Sequence, residues 1–545
     1  MASAAVFSVG SVVARVTTTT SRHHQQRRAP STVNHHNGKR AFLLRAPRAI
    51  QEPGSAEPEG EVLPEVRADD AEIPAPVGTA TKEEFMNWML RQQNLPAQKL
   101  DLVVNLPEGR GLVAREKVKK GESLLEIPDA TLITVERAVA ESKLGPKHAK
   151  LQEWSVLAAF LAEQALAIEA GGDSGKFATY IRALPRRTGG VLDWPEDDVK
   201  TLLAGSPSQR AAYERQASVD AAIETIRADF PQLTPGALRW AFDVLFSRLI
   251  RLPSRGGELA LVPWADMLNH KPGCEAYIDD SDGQVCLSPD RGYRPGEQVF
   301  ASYGQRPSSE LLISYGFAPV VGENPDDEYE LVLGVDPNDR WAEEKAAALA
   351  KLGLRPVESF PLRLSGYPKQ LLQYASFILC DPDDPKKLPE LAEEALVGNK
   401  VVGGLLGVLT KGKRGTQGQI LGGSAGEIAV REMLADLTSD ALSKYPNTLE
   451  VDRDIAAQDP TKPPKKKKGK KGFRAEVIPE VGMGNDGAFP NADAWVGVFP
   501  EPVRQTQRSV AAARVRVSER RILAKTDSEV RLQLRKLKAA EMTTK

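Results

Sequence analysis

Three polar side chains close an apolar run in Leu261-Val-Pro-Trp-Ala-Asp-Met-Leu-Asn-His270: Asp266, Asn269 and His270. Such a trio can cap a helix, ligate a metal or hydrogen-bond a polar ligand. A metal pair of Asp266 and His270 needs further ligands, and beyond residue 50 the one other histidine is His148. Cys274, Cys286 and Cys380 form no CxxC pair. Neither a zinc cluster nor a disulfide framework is expected, and the thiols read as reduced. No metal ligand is assigned. Two other stretches could share a site with this one. In PEGRGLVA, residues 107–114, Gly109 and Gly111 bracket Arg110 between two strand-like runs. Glycines there either make a turn or let backbone approach a ligand closely. In GEQVFASYGQRPSSELLISYGF, residues 296–317, Tyr303 ends a strand and Tyr315 follows twelve residues later. Each tyrosine is either a core aromatic with a satisfied hydroxyl or a group that orients a nucleophile.

Short elements must position these residues. Phe85, Trp88 and Met89 lie at helical spacing in KEEFMNWMLRQQ, which predicts an amphipathic helix. LDLVVNL, RGLVAREKV and ESLLEIP are β-type runs separated by the turn signals PEGRG and KKGE, so a small antiparallel sheet is expected. From about Val135 to Ile250 the periodicity is helical, and strands return in ALVPWADML, AYIDD, QVCLSP and QVFASYG. A sheet domain with a helical insertion follows, its two β segments pairing in space. Beyond Asp326 comes a strand-like ELVLGV, then mostly helical patterns to about Pro446. The basic stretch 462–474, KPPKKKKGKKGFR, has no apolar periodicity and reads as a solvated loop. The last segment, ARVRVSERRILAKTDSEVRLQLRKL, is a charged helix with an apolar stripe.

In this order, the Gly-Arg-Gly turn, the helical insert, ADMLNH, then SYG and YGF, the chain resembles the SET-domain protein methyltransferases. The likeness is to the plastid Rubisco large-subunit N-methyltransferase group, which includes a histidine methyltransferase of actin. It implies an α+β SET fold: short curved antiparallel sheets with a threaded Asn-His segment, a helical insertion at 135–250, and a mainly α-helical C-terminal substrate-binding domain. The SET domain is expected over 81–320 and the C-terminal domain over 326–545. The resemblance further implies an S-adenosyl-L-methionine pocket lined by Glu108, Arg110, Ser247, Arg248, Asp266, Asn269, His270 and Tyr315. Arg110 would act through its backbone, and Tyr303 would be catalytic. The sequence carries Lys271 where many SET domains have serine after Asn-His, and the bulky Trp264 before Ala265-Asp266.

Length and composition bound the rest. A chain of 545 residues exceeds one core. A net charge of -1 gives no whole-molecule attraction to nucleic acid or anionic membrane. Residues 1–50 contain no Asp or Glu but many Arg, Ser and Thr, the composition of an organelle transit peptide; a chloroplast address, in the stroma, is expected. Residues 51–80 read as an acidic, Pro-rich linker. The expected partner is a protein substrate, a plastid stromal protein such as Rubisco large subunit or aldolase, met by a monomer. Two alternatives stay open: a protein-histidine N-methyltransferase, and a non-catalytic SET-like docking protein.

Overall fold

The computed structural model describes residues 74, 77–91, 99–172, 175–276, 278–280, 284–397, 418–462 and 501–544. The leader, most of the acidic linker and all but the first residue of the basic loop lie outside these residues.

The described fold opens on helix α1 (Lys82–Arg91). A reciprocal capping box starts it: the Glu84 amide donates to Thr81 Oγ1 and the Thr81 amide to Glu84 Oε2. Phe85, Trp88 and Met89 are its buried face. Strands β1 (Leu100–Leu106), β2 (Gly109–Ala114), β3 (Leu125–Pro128) and β4 (Ile133–Thr134) follow. The helical insertion comprises α2 (Val135–Glu141), α3 (Glu153–Glu169), α4 (Ala178–Ala183), α5 (Glu196–Leu202), α6 (Pro207–Asp229) and α7 (Pro235–Arg248). Pro235 at the first turn and a Thr234 side chain accepting from the Ala237 amide start α7. Strands resume as β5 (Ile250–Leu252), β6 (Glu258–Leu261), β7 (Asn269–His270), β8 (Ile278–Asp279), β9 (Gln284–Leu287) and β10 (Gln298–Ala301), closed by helix α8 (Ser308–Tyr315).

The two β segments pair across the insertion in three small sheets, ordered β1-β2-β10-β7, β3-β9-β8 and β4-β6-β5. The first sheet gathers all three chemistry-bearing stretches. β10 runs antiparallel to β2, with Val299 opposite Leu112, and parallel to β7, with Phe300 opposite Asn269. One hydrophobic core joins these sheets to α1, α3 and α7.

The C-terminal part holds β11 (Tyr329–Gly334), α9 (Ala342–Lys351), β12 (Val357–Leu362), α10 (Lys369–Leu379), α11 (Leu388–Leu396), α12 (Gly423–Ser443), α13 (Leu449–Ala456) and α14 (Glu501–Thr544). β12 is a second strand within the mostly helical region expected after ELVLGV. It pairs antiparallel with β11, and Pro361 fits because the ribbon has two strands and its outer edge needs no donor. The core of this part is separate, and α14 contributes Ile522, Leu523 and Val530 to it.

Candidate active site

Asn269 ties the first sheet together. Its Nδ2 donates to the Arg110 carbonyl at 2.9 Å and to Gln298 Oε1 at 2.8 Å. Gln298 in turn donates to Glu108 Oε2 at 3.0 Å. This close approach needs Gly111: a Cβ there would lie 2.6 Å from Asn269 Nδ2 and 2.7 Å from Gln298 Oε1. One amide therefore fixes β2, β7 and β10 at a single point, with Glu108 exposed beside it.

Behind this knot sits a charged cluster. Arg248, at the end of α7, donates through Nη1 to the Asp266 carbonyl at 2.7 Å and lies 3.2 Å from Asp266 Oδ2. Tyr180 donates its hydroxyl to the same Oδ2 at 2.9 Å. The Asp266 side chain is fully buried, and its Oδ1 and Arg248 Nε have no hydrogen-bond partner. The Arg110 guanidinium donates to the Ala183 carbonyl at 2.7 Å. Burial, and then the Arg248 charge, push its pKa down to about 9. Two guanidinium groups thus feel the charge of one buried carboxylate, and Arg248 is the one seen bonded to it. Ser247 stands apart from this set; its hydroxyl donates to the Val244 carbonyl of its own helix at 3.0 Å.

Asp266 is aimed by an unusual backbone. Trp264 has φ 78° and ψ -51°, and among the described residues no other non-glycine has positive φ. This turn is disfavoured for a bulky side chain. It persists because Trp264 is fully buried against Phe85 of α1, ring centroids 6.3 Å apart. The strand expected through ALVPWADML therefore stops at Leu261, and Pro263-Trp264 turns the chain into a short 3-10 turn at Ala265–Met267.

The third group is an aromatic shelf. Tyr303 stacks on His270 at 5.2 Å and on Tyr315 at 4.8 Å between centroids. Phe317 closes the corner, 6.4 Å from His270 and 6.3 Å from Tyr315. All four are half-buried, so one side of the shelf faces outward. The Tyr303 hydroxyl donates to the Leu268 carbonyl at 2.6 Å, and its amide donates to His270 Nδ1 at 3.1 Å. That second bond requires an unprotonated Nδ1. Burial, and then Arg306, hold the His270 pKa below its usual value, so the ring is neutral. Burial and the neighbouring Tyr315 raise the Tyr303 pKa far above its usual value, and burial also raises that of Tyr315. Arg306 donates to the Tyr303 carbonyl at 2.8 Å, lies 6.0 Å from the Tyr315 ring and pairs with Glu310.

Of the sequence candidates, Glu108, Arg110 and Asn269 meet directly or through Gln298. Arg248 meets Asp266, and His270, Tyr303 and Tyr315 form the shelf. Sequence reasoning missed Tyr180, Gln298, Arg306 and Phe317. Phe317 and Arg306 lay inside a quoted stretch; Tyr180 sits in the helical insertion, where nothing distinguishes it from a core aromatic. Among the described residues no group of three or more His, Cys, Asp or Glu side chains converges.

Comparison with known proteins follows this geometry. Residues 109–304 match the SET domain model, and residues 336–523 match the Rubisco LSMT substrate-binding model. The chloroplastic ribulose-1,5 bisphosphate carboxylase/oxygenase large subunit N-methyltransferase of Nicotiana tabacum is 26% identical over 408 residues, covering 71% of this chain and 76% of the relative. An actin-histidine N-methyltransferase of Danio rerio is 30% identical, covering 49% of this chain and 47% of that protein. The chloroplastic fructose-bisphosphate aldolase-lysine N-methyltransferase of Arabidopsis thaliana is 28% identical, covering 45% and 52%. The chain thus matches about half the length of these last two. The fold is that of Rubisco LSMT solved with AdoMet, with a TM-score of 0.61 and 20% identity over 84% of this chain and 92% of that one. With the two family models side by side on a shared fold, the chain belongs to the SET-domain protein methyltransferases, in the group that carries a Rubisco LSMT-type substrate-binding domain.

Proposed function

We propose that the chain is an S-adenosylmethionine-dependent protein-lysine N-methyltransferase of the chloroplast stroma. Its substrate is a plastid protein, with the Rubisco large subunit and aldolase as the first candidates. The relatives that act on those two proteins are chloroplastic. The SET domain spans 81–320 and the substrate-binding domain 326–545. The observation that carries the reading is the Tyr303 hydroxyl, pinned to the Leu268 carbonyl inside the aromatic shelf.

The residues present fit the methyl donor. Arg248 Nε and Asp266 Oδ1 are buried polar atoms without partners, a donor for an amino acid's carboxylate and an acceptor for its ammonium. Arg248 holds the carboxylate, which offsets the repulsion between the two guanidinium groups. The resemblance adds Ser247 as a hydroxyl at the amino-acid end of the donor, although its own bond is to the Val244 carbonyl, apart from this pair. Glu108 and the Arg110, Asn269 and His270 backbone supply the directional contacts an adenosine needs, and Tyr315 closes the pocket. When bound, S-adenosylmethionine supplies an electrophilic methyl group on a sulfonium cation.

The chain's own residues prepare the amine. Lysine, with a reference pKa near ~10.4, must lose a proton before it attacks. A half-buried aromatic channel desolvates the ammonium, and the Arg306 guanidinium beside Tyr315 repels it. Tyr303 stays a neutral phenol. Its proton goes to Leu268, so its remaining lone pairs accept an amine N–H and aim the nitrogen lone pair. Positioning of this kind contributes several kcal/mol to barrier lowering, up to roughly 7–11 in model systems.

The test is labelled methyl transfer from S-adenosylmethionine to a plastid soluble extract. Mass spectrometry of the labelled protein should place the methyl on lysine. Label on histidine would move the chain to the actin-histidine type of activity. Donor binding with no acceptor in any plastid fraction would favour a docking protein.

A further inference from the structure

Helix α8 carries Tyr315 at its last position and begins five residues after Tyr303. It has no side-chain cap of its own: Pro307 precedes it and makes no cap bond. Its start is held by Asp327 and Asn324, with Asp327 tied in turn to the C-terminal helix α14, and α14 reaches past its end directly. At the start, the Ser308 amide donates to Asp327 Oδ1 at 2.9 Å, and Asp327 Oδ2 accepts the Ser518 hydroxyl at 2.6 Å. Beyond the end, Arg514 Nη1 donates to the Ala318 carbonyl at 2.9 Å, one residue past Phe317. Between these anchors Leu312 and Ile313 of α8 pack with Ala511, Ala512 and Val515 of α14 in one apolar cluster. Ser518 and Ser308 are both buried, so these bonds are shielded from water. One face of α14, small at Ala511 and Ala512 and polar at Arg514 and Ser518, matches α8 along its length.

We infer that α14 is a clamp that sets the aromatic shelf: Ser518 and Arg514 are positioning residues for Tyr315 and Phe317. The substrate-binding domain then does more than hold a protein substrate. Its last helix fixes the wall of the channel through which the target amine must pass. A substrate that shifts α14 on docking shifts the shelf with it. This rests on the methyltransferase reading for its consequence, and on geometry alone for the clamp.

The experiment uses the full chain with Ser518→Ala, Arg514→Ala and Arg514→Lys. It reads deuterium exchange over residues 308–319, S-adenosylhomocysteine affinity, and labelled transfer to a plastid extract. The clamp predicts faster exchange in that segment and about a tenfold lower kcat in Ser518→Ala and Arg514→Ala. Exchange in the β1-β2-β10-β7 sheet should stay as in wild type, and the KM for S-adenosylmethionine should change less than threefold. Arg514→Lys, which can still donate to the Ala318 carbonyl, should recover part of both losses. Wild-type exchange and wild-type kcat in both alanine variants overturn the clamp. So does faster exchange throughout the molecule, which marks a merely structural role. If Arg514→Ala does not fold, Ser518→Ala decides alone. A wild-type chain that labels no protein defeats the methyltransferase reading, while the exchange arm still decides the clamp.

Discussion

A single amide, that of Asn269, reaches from β7 to the Arg110 carbonyl of β2 and the Gln298 side chain of β10. Removing it leaves two acceptors facing each other in a confined place, at a cost of about 1–3 kcal/mol. Asn269→Ala should therefore weaken S-adenosylhomocysteine binding by roughly tenfold to a hundredfold, measured by calorimetry. Unchanged affinity would separate Asn269 from the donor pocket. At this scale the sequence was informative wherever a polar side chain broke an apolar run, as at Asp266, Asn269 and His270. It was silent on Tyr180, which reaches Asp266 across 86 residues of chain. A tyrosine on a buried helix face looks the same whether its hydroxyl meets a carboxylate or a carbonyl.

Elements show where local pattern and tertiary demand part. The strand expected through ALVPWADML ends early because Trp264 takes a strained turn that only its burial against Phe85 sustains. The bulk of Trp264 was visible in the sequence; its backbone was not, since φ is set by contacts with α1. β12 was not singled out because Glu358 stands on its inward face and Pro361 interrupts it, although burial alternates strictly along the strand once it pairs with β11. The β segments on either side of the insertion, by contrast, pair as expected, because turn signals and apolar runs alone define them. The end of α8 makes a sharper prediction. Gly316 has φ 79°, and a Cβ there would collide with the Gly189 backbone, whose Cα would be 2.8 Å away. Gly316→Ala should destabilise the fold by about 2–4 kcal/mol, from the left-handed backbone and the overpacking together. Denaturant unfolding measures it; a midpoint equal to wild type would show that the Gly189 loop yields freely.

At the scale of the molecule, α14, roughly 66 Å long at ~1.5 Å per residue, joins the C-terminal core to the apolar cluster it shares with α8. The junction buries charge. Glu519 accepts from Ser206 of the insertion at 2.8 Å and from Tyr445 at 2.8 Å, with Arg516 and Asp327 close by. Burial outweighs the two hydrogen bonds and Arg516, and pushes the Glu519 pKa up to about 7. A carboxyl whose folded pKa is raised contributes stability below its unfolded pKa and loses it as pH rises through the folded one. Unfolding free energy should thus fall between pH 5 and pH 8 in wild type, by an amount on the order of 1–3 kcal/mol relative to Glu519→Gln. Equal slopes in the two proteins would mean that Glu519 titrates as if exposed. The domain order was legible from the alternation of β and helical texture. The junction was not, because nothing in SERRIL says that its serine and glutamate face other elements.

The most direct test concerns Tyr303. Tyr303→Phe keeps the ring that stacks on His270 and Tyr315 and removes the hydroxyl proposed to orient the amine. Purified wild type and Tyr303→Phe should bind S-adenosylhomocysteine with affinities within about threefold, while labelled methyl transfer falls at least a hundredfold, about 2.7 kcal/mol in the barrier. Equal transfer by the two proteins would contradict the assignment of Tyr303 as the reaction centre.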